Sequence, residues 1–456
     1  MTTLLSIPMN KLEQRTALSL AAVYAVRMLG LFMILPVLPL YVEHFEHATP
    51  FLIGMAIGIY GLTQASLQIP LGLLSDRFGR KPIIIGGLLV FALGSVIAAL
   101  SDNIYSIILG RAIQGAGAIA AATMALAADL TEENNRAKVM ASIGLTIGLA
   151  FAAAMVVGPL INTWYGLSGI FWITSLLALI GVALVIFVVP QPTKLFHHRD
   201  AGVLKDYILP AIKNTNLLRM NAGVFILHMI MTANFTLLPL IFKHQMNLES
   251  ASHWKIYLPV FGLSFLFAIP MIIIAEKYHK IKPLLIGTVA ALLIAQVGLA
   301  LSLDHSWGIL FCFLMFFISF NFLEAVQPSL VAKYAGVSIK GTAMGVFSTA
   351  QFMGIFVGGV MGGFLLQYYG QSAVFFFGAA AALIWLMITL SLPTPKFYSS
   401  RLVKLNPKQL HNTQSTSQAL GEVTGVKEVA IAVEEGVAYL KVDKHTLDES
   451  KLLSFQ

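Results

Sequence analysis

The stretch GLLSDRFGRKPIII, residues 72–85, places an aspartate, two arginines, a lysine and two glycines beside apolar runs. Charged side chains are costly inside hydrocarbon, so such a cluster either lies outside a membrane or has a function that offsets its cost. Hydrophobic residues make up 57% of the 456 residues and charged residues only 11%, against about 25% in soluble domains. The sequence therefore predicts an integral membrane protein.

The apolar residues fall into runs that suit membrane-crossing helices, because about 20 helical residues span about 30 Å of hydrocarbon. Transmembrane strands would instead alternate apolar and polar residues over about ten positions. The predicted fold is an all-α membrane protein with twelve transmembrane helices in two six-helix repeats, plus a small C-terminal α+β domain. The predicted spans are 17–41, 50–73, 82–100, 104–127, 138–160, 168–190, 218–242, 255–275, 283–302, 307–331, 342–366 and 371–392.

The basic residues lie mostly in the loops on one side of these spans. The positive-inside rule places that side, and both termini, in the cytoplasm. The formal net charge of +8 therefore reflects topology in a lipid bilayer, and no nucleic-acid partner is expected. The basic residues on this side are Lys11, Arg15, Arg77, Arg80, Lys81, Arg136, Lys138, Arg199, Lys205, Lys213, Lys277, Lys280, Lys282, Lys333 and Lys340.

The chain repeats itself. Residues 70–81 align with 270–281, and the Trp-Tyr-Gly of 164–166 aligns with the Tyr-Tyr-Gly of 368–370. Two matches in the same order indicate a duplicated six-span unit, which is a known transporter architecture. The matched pairs include Asp76 with Glu276, Arg77 with Lys277, Phe78 with Tyr278 and Arg80 with Lys280. The predicted domains are a first bundle at 1–190, a connector at 191–216, a second bundle at 217–392 and a cytoplasmic domain at 393–456.

The connector and the C-terminal region are polar by comparison. In the connector, Val203, Leu204, Tyr207, Ile208, Ala211 and Ile212 form an apolar face at helical spacing, which predicts an interfacial helix that Pro210 interrupts. The C-terminal region predicts strands at 397–405, 426–433 and 437–442 and helices at 406–420 and 446–453. This βαββα order predicts a ferredoxin-like domain. Its last two strands, joined by the turn at 434–436, resemble those of heavy-metal-associated domains but lack the metal-binding cysteine pair.

Four ionisable residues lie deep within predicted spans, where each costs about 2.5–3.5 kcal/mol near the helix centre. They are Arg27, Arg111, His228 and Glu324, on spans one, four, seven and ten. Polar neighbours on these spans are Gln114, Asn234, Asn321 and Gln327. Each residue alone is explained equally well by a packing partner. Because the four residues occur at regular intervals, on every third span, they favour a shared central cavity.

Two motifs resemble signatures of a known family. Residues 72–81 are similar to the loop 2–3 signature of major facilitator superfamily transporters, and RAIQGAG at 111–117 is similar to the span-four signature of proton-coupled members. The chain resembles the twelve-span drug:proton antiporter branch over residues 15–392. On span five, Gly158 and Pro159 match the antiporter signature, but Ala154 and Leu145 replace expected glycines. The direction of transport is therefore left open.

The resemblance implies that the loop between spans two and three is a conformational latch, formed by Gly72, Asp76, Arg77, Gly79, Arg80, Asp129 and Gly341. Asp76 is expected at the amino end of span eleven, near Gly341, where free N–H groups favour an anion. Arg80 is expected to reach Asp129. The alternative, that the charges only set topology, accounts for Arg77 and Lys81 but not for Asp76 or the glycines.

The predicted function is secondary active transport by alternating access, in the form of proton-coupled efflux of a small-molecule solute across a bacterial inner membrane. The central-cavity residues are expected to couple transport to protons. His228 and Glu324 are the candidate proton carriers, since arginine does not deprotonate in proteins. A passive facilitator and a solute sensor that signals through the C-terminal domain are the alternatives. No enzyme activity is expected. No cofactor or metal is expected either, because the single cysteine, Cys312, forms no CxxC motif.

Overall fold

The structure is a computed structural model. It describes residues 9–41, 45, 47–131, 133–191, 205–336, 339–396, 398–433, 436–443, 446–453 and 455. Apolar helices account for most of this part of the chain. The predicted connector residues Val203 and Leu204, and Glu434 and Glu435 of the predicted tail turn, lie outside the described residues.

The first half begins with α1 (Lys11–Phe32), whose N-terminus is capped by Asn10. It continues with α2 (Pro50–Phe78), α3 (Arg80–Ala99), α4 (Ile104–Ala116), α5 (Ala120–Asp129) and α6 (Glu133–Ala183). Helices α4 and α5 together form span four and are separated by a break at Gly117. The short helix α7 (Lys205–Lys213) follows, and Pro210 lies inside it without ending it, so the predicted interruption was wrong.

The second half consists of α8 (Thr215–His244), α9 (Trp254–Lys277), α10 (Ile281–Leu301), α11 (Ser306–Tyr334), α12 (Lys340–Tyr369) and α13 (Gln371–Leu390). Among the described residues, eleven helical segments are long and apolar enough to cross a membrane. One of them, Lys138–Val188, covers most of the 51-residue α6. This helix bends at Gly166 (φ 64°, ψ −169°). A straight helix of that length would measure about 75 Å at 1.5 Å per residue, so α6 supplies spans five and six. Twelve crossings result.

Span one ends earlier than the sequence predicted. The α-helix stops at Phe32, and tight turns followed by a short 3₁₀ helix (Leu38–Tyr41) replace the predicted helix to residue 41. The physical reason is proline: Pro36 and Pro39 lack an N–H donor and disfavour helical backbone at the preceding residues. The turns there are closed by hydrogen bonds between residues three positions apart. For example, the Val37 N–H donates to the Ile34 carbonyl oxygen at 3.1 Å.

The internal repeat is visible in the backbone. Gly166 and Gly370 both have positive φ, 64° and 84°, between spans five and six and between spans eleven and twelve. Gly79 (φ 94°) and His279 (φ 57°) share the same property in the loops after spans two and eight. The duplicated turns are therefore retained even where the glycine is not.

The two halves meet along α2 and α12. A Cβ added to Gly54 would overlap the carbonyl oxygen of Gly359, and one added to Gly363 would overlap that of Pro50. Small residues allow such close backbone approach in membranes. We call this contact the glycine seam (Gly54, Gly58 and Gly61 against Phe352, Phe356, Gly359 and Gly363). It lies at the end of the bundle where α2 begins, which we call the Thr49 end; the opposite end is the Arg80 end.

The C-terminal region contains a three-stranded antiparallel sheet. Strands β1 (Ser399–Lys404), β2 (Val426–Ala432) and β3 (Val437–Val442) lie in the order β1-β3-β2. Helices α14 (Pro407–His411) and α15 (Thr413–Gly421) follow β1, and α16 (Glu449–Leu453) follows β3. The single helix predicted at 406–420 is thus divided, and each of its parts begins after a capping asparagine, Asn406 or Asn412.

This region, which we call the tail domain, contacts the end of α11. Lys441 of β3 donates to the carbonyl oxygens of Lys333 and Ala335. The hydroxyl of Tyr334 donates to the Pro393 carbonyl in the linker, 2.6 Å. A lysine at a helix C-terminus satisfies free carbonyl groups and complements the helix dipole. The tail domain and its linker therefore hold the last residues of span ten.

Candidate functional site

Arg27 is fully buried in the first half, at 0% exposure. Its Nη2 donates to the Tyr60 hydroxyl and to the Gln64 side-chain oxygen, both at 2.9 Å, and to the Gly117 carbonyl at 3.3 Å. Nε and Nη1 have no hydrogen-bond partner among the described residues. The break between α4 and α5 supplies the carbonyl, since a continuous helix would use that oxygen itself.

Arg111 contacts the ring of the same tyrosine. Its guanidinium carbon is 5.0 Å from the centre of the Tyr60 ring, a cation–π arrangement. Nε donates to the Ala56 carbonyl at 3.2 Å and Nη1 to Gln114 at 2.8 Å; Gln114 in turn donates to Ser95. Within the described residues no carboxylate binds either arginine. The first half therefore buries two positive charges that only neutral groups stabilise.

Tyr60 connects this arginine group to the second half. Its ring centre is 6.4 Å from that of Phe352 on α12, edge to face. A Cβ at the next residue, Gly61, would overlap the Phe352 carbonyl oxygen. Tyr60 thus lies at the glycine seam, with Arg27 at its hydroxyl group and Arg111 over its ring.

The second half contains a three-residue cluster, His228, Gln351 and Glu324, from α8, α12 and α11. The Gln351 amide nitrogen is 2.8 Å from His228 Nε2 and 3.2 Å from Glu324 Oε1. His228 Nε2 is 3.6 Å from Glu324 Oε2. The imidazole is nearly buried, whereas 41% of the Glu324 side chain is exposed. Two ionisable groups are therefore adjacent, and the carboxylate remains accessible.

The other predicted cavity residues separate. Asn321 donates to Ser264 of α9 at 2.8 Å, which is a bond between neighbouring helices. Neither side-chain polar atom of Asn234 or Gln327 has a hydrogen-bond partner among the described residues, and both side chains are buried. The structure therefore gathers Arg27, Arg111 and Gln114 in one half and His228 and Glu324 in the other.

Phenylalanines form a packed core here. Phe235 and Phe316 are fully buried. Phe151, from span five in the first half, contacts Phe261 at 5.4 Å and Phe235 at 6.1 Å in the second half, both edge to face. Such pairs contribute about 0.5–1.5 kcal/mol beyond area burial. In this conformation these rings join the two halves.

The loop 2–3 cluster is assembled at the Arg80 end. Arg80 Nε donates to Asp129 at 3.1 Å, and Nη1 donates to Asp76 and to Ser75. Arg77 lies over the Phe78 ring, at 5.5 Å from its centre. A Cβ at Gly72 would meet Ala121 of α5, in the same half. Gly341 is buried near the start of α12. Within the described residues no hydrogen bond or ion pair joins Asp76 to Gly341, so that predicted contact stays a prediction.

The second half has a counterpart of this cluster. Glu276, the repeat equivalent of Asp76, accepts from Lys333 at 2.9 Å and from Ser329 at 2.7 Å, both on α11. Lys333 occupies the place on span ten that Asp129 has on span four. Each half therefore has an acid–base pair at this place, but in the second half the equivalent of Asp76 supplies the acid and span ten supplies the base.

Two site residues were missed by the sequence analysis, Gln351 and Tyr60. Neither is ionised, so neither stood out within an apolar span. The sequence signal for each residue was weak. Gln351 is a polar residue on a span otherwise rich in glycine, and Tyr60 is a residue with a polar hydroxyl group, three positions before Thr63 within an apolar span. In the part of the chain that the structure describes, no group of three His, Cys, Asp or Glu residues is arranged to hold a metal.

Comparisons with known proteins agree on one family. Residues 20–359 and 261–430 match a family model described as Major Facilitator Superfamily. The chain is 44% identical over 431 residues to the inner membrane transport protein YajR of Escherichia coli strain K12, with 94% of each chain covered. Two solved structures share the fold. The first is a bacterial homologue of the human lysosomal transporter Spinster in an inward-facing and occupied conformation, with a TM-score of 0.69 and 11% identity over 84% of this chain and 97% of that chain. The second is the human organic anion transporter MFSD10, with a TM-score of 0.63 and 18% identity over 83% of this chain and 99% of that chain.

Proposed function

This chain belongs to the major facilitator superfamily, and on that basis we propose that it exports a small solute across the bacterial inner membrane in exchange for protons. The observation that carries the proposal is the contact between His228 and Glu324, 3.6 Å apart, in the interior of the second half. A transporter needs no nucleophile or cofactor for this role. It needs a group whose charge changes as access to it changes.

The proton step uses this pair. In one state the pair holds a neutral imidazole and a carboxylate, and in the other it holds one additional proton. Each proton that moves inward gains about 2.3 kcal/mol per 100 mV of membrane potential. Rocking of the two halves, in which the glycine seam opens and closes, would expose the pair to each side in turn.

The Arg80 end carries the basic loops, so we place it in the cytoplasm. The halves meet at the Thr49 end, which supports an inward-open conformation. In this state Asp76 binds Arg80 within its own half. In the outward-open state we expect Asp76 to turn to the amino end of α12 near Gly341, where it closes the cytoplasmic side as a latch.

The solute is proposed to be neutral or anionic. Arg27 and Arg111 are buried without a bound carboxylate among the described residues. Glu324 lies in the opposite half, next to His228. The net positive interior disfavours a cation. A fold relative, MFSD10, is described as an organic anion transporter, which makes organic anions the first solutes to test.

The test is reconstitution of the full chain in liposomes that contain a pH-sensitive dye. A panel of organic anions, neutral solutes and organic cations is added with and without an imposed pH gradient. We expect one class to drive proton flux, and we expect Glu324→Gln to reduce that flux at least tenfold. Glu249→Gln, in the loop before α9, is the matched control. Solute flux that ignores the gradient in every case would instead favour a passive facilitator.

For the tail domain we propose a ferredoxin-like fold that stabilises the end of span ten. The strand order β1-β3-β2 with helices after β1 and β3 supports this fold, although no fourth strand occurs in the described residues. A role as a signalling output, with the spans as a solute sensor, is the second candidate. Deletion of residues 396–456 separates them, because a transporter keeps measurable flux and a sensor loses its output.

A further inference from the structure

Gln351 occupies a bridging position between the two proton-exchanging groups. Its amide nitrogen contacts His228 Nε2 at 2.8 Å and Glu324 Oε1 at 3.2 Å. An ionised carboxylate only accepts hydrogen bonds, so the amide must present its nitrogen to Glu324. The two amide hydrogens are then shared between the two partners, one for each.

The imidazole is oriented to complete this arrangement. His228 Nδ1 lies 3.1 Å from the carbonyl oxygen of Val224, one turn earlier on α8. Because a carbonyl accepts, Nδ1 carries the hydrogen, and the neutral ring then has its lone pair on Nε2. Gln351 therefore recognises one protonation state: a neutral imidazole together with a carboxylate.

A proton on the pair removes this recognition. With a hydrogen on Nε2 the imidazole no longer accepts from Gln351, and it can donate to Glu324 Oε2, 3.6 Å away. With a hydrogen on Glu324 the carboxyl group becomes a donor that competes with the amide. Of the described elements around His228, α11 contributes Glu324 and the Phe320 ring and α12 contributes Gln351. The arginines lie beyond Tyr60 in the other half.

Gln351 is also placed to transmit this change. The next residue, Phe352, contacts Tyr60 and Gly61 of α2 at the glycine seam. Gly354 and Gly358, further along α12, lie against the backbone of α8 at Phe225 and Met229. A shift of α12 relative to α8 therefore changes the seam directly.

We propose that Gln351 is a positioning residue that couples the protonation state of the His228–Glu324 pair to the position of α12, and so to closure of the glycine seam. This inference rests on the proposed proton coupling. The deprotonated pair holds Gln351 and keeps α12 in the position seen here. A proton releases Gln351 and frees α12 to move, so that the seam can open or close with the proton bound.

The test measures the distance between the halves at several pH values. Cys312→Ala provides a cysteine-free chain, and spin labels are attached at Trp164→Cys and Tyr368→Cys, exposed positions at the Thr49 end. In lipid nanodiscs without added solute, the distance distribution of the parent chain should change with pH. Gln351→Met, which keeps the side-chain length but not the hydrogen bonds, should abolish at least nine-tenths of that change.

The control is Gln296→Met, a buried glutamine on α10 whose amide atoms have no hydrogen-bond partner among the described residues; it should keep the full pH response. Glu324→Gln separates the two proposals. If Glu324→Gln removes the pH response and Gln351→Met retains it, proton coupling stands and the role of Gln351 is overturned. If Glu324→Gln retains the response, the proposed proton coupling itself fails.

Discussion

His279 has a positive φ (57°), as Gly79 does (φ 94°, ψ 149°) at the equivalent turn of the first half. The two halves have thus kept a positive φ at this turn while only the first half keeps the glycine that best suits it. Side chains other than glycine cost about 1–2 kcal/mol in this region. The loop after α9 therefore holds strain that the loop after α2 avoids.

We expect His279→Gly to stabilise the protein. Removing the strain at positive φ stabilises the folded state, but the greater freedom of glycine in the unfolded chain offsets about 0.5–1 kcal/mol of that gain. The free energy of unfolding should therefore rise by a net amount of about 0.5–1 kcal/mol. Gly79→Ala should destabilise by about 1–3 kcal/mol, because φ 94° with ψ 149° is a backbone region that essentially only glycine occupies. Apparent melting temperatures in one detergent, followed by tryptophan fluorescence, compare the two variants. A lower melting temperature for His279→Gly would contradict the assignment of strain.

The buried pair of Arg80 and Asp129 should be important for stability. The Asp129 side chain is fully buried and that of Arg80 is 3% exposed. Breaking a buried pair costs about 3–5 kcal/mol, and the remaining contact of Arg80 with Asp76 should keep Asp129→Asn near the lower value. Thermal unfolding measures the loss. Asp448→Asn in the tail domain is the control and should leave the membrane domain unchanged.

The glycine seam should be sensitive to a single methyl group. A Cβ at Gly359 would lie 2.5 Å from the Gly54 carbonyl oxygen and 2.8 Å from Gly58 N, which is closer than van der Waals contact allows. We expect Gly359→Ala to separate the halves at the Thr49 end and to lengthen the distance between labels at positions 164 and 368. Gly287→Ala, where an added Cβ has no neighbour within 4 Å among the described residues, should leave that distance unaltered.

The tail domain should depend on Lys441 for its contact with span ten. The Lys441 side chain is 10% exposed and also lies 3.6 Å from Glu428. Lys441→Met should leave two carbonyl groups of α11 without their donor, at a cost of about 1–3 kcal/mol. Limited proteolysis of the linker near residue 396 should then become several-fold faster. Lys451→Met, a mostly exposed lysine of the same domain, should be cleaved at the parent rate.

Much of the fold could be predicted from the sequence, because it depends on local composition. Runs of about 20 apolar residues define the spans, and the prediction failed mainly where Pro36 and Pro39 shorten span one. The contact of Arg80 with Asp129 was expected from the family resemblance and is present. The pairing of His228 with Glu324 was only implied, since both were placed in one cavity without a stated contact.

The sequence by itself determined that the chain crosses the membrane many times, repeats its six-span unit and carries four ionisable residues within its spans. Only the tertiary structure decided that Gln351 bridges His228 and Glu324, that Tyr60 lies between two arginines and Phe352, and that Lys441 holds the end of α11. The physical reason is that hydrophobic runs and turn residues act over a few neighbouring positions. A contact between residues more than a hundred positions apart depends on how each helix is rotated and where it crosses its neighbour, and many residues along the chain fix that geometry together.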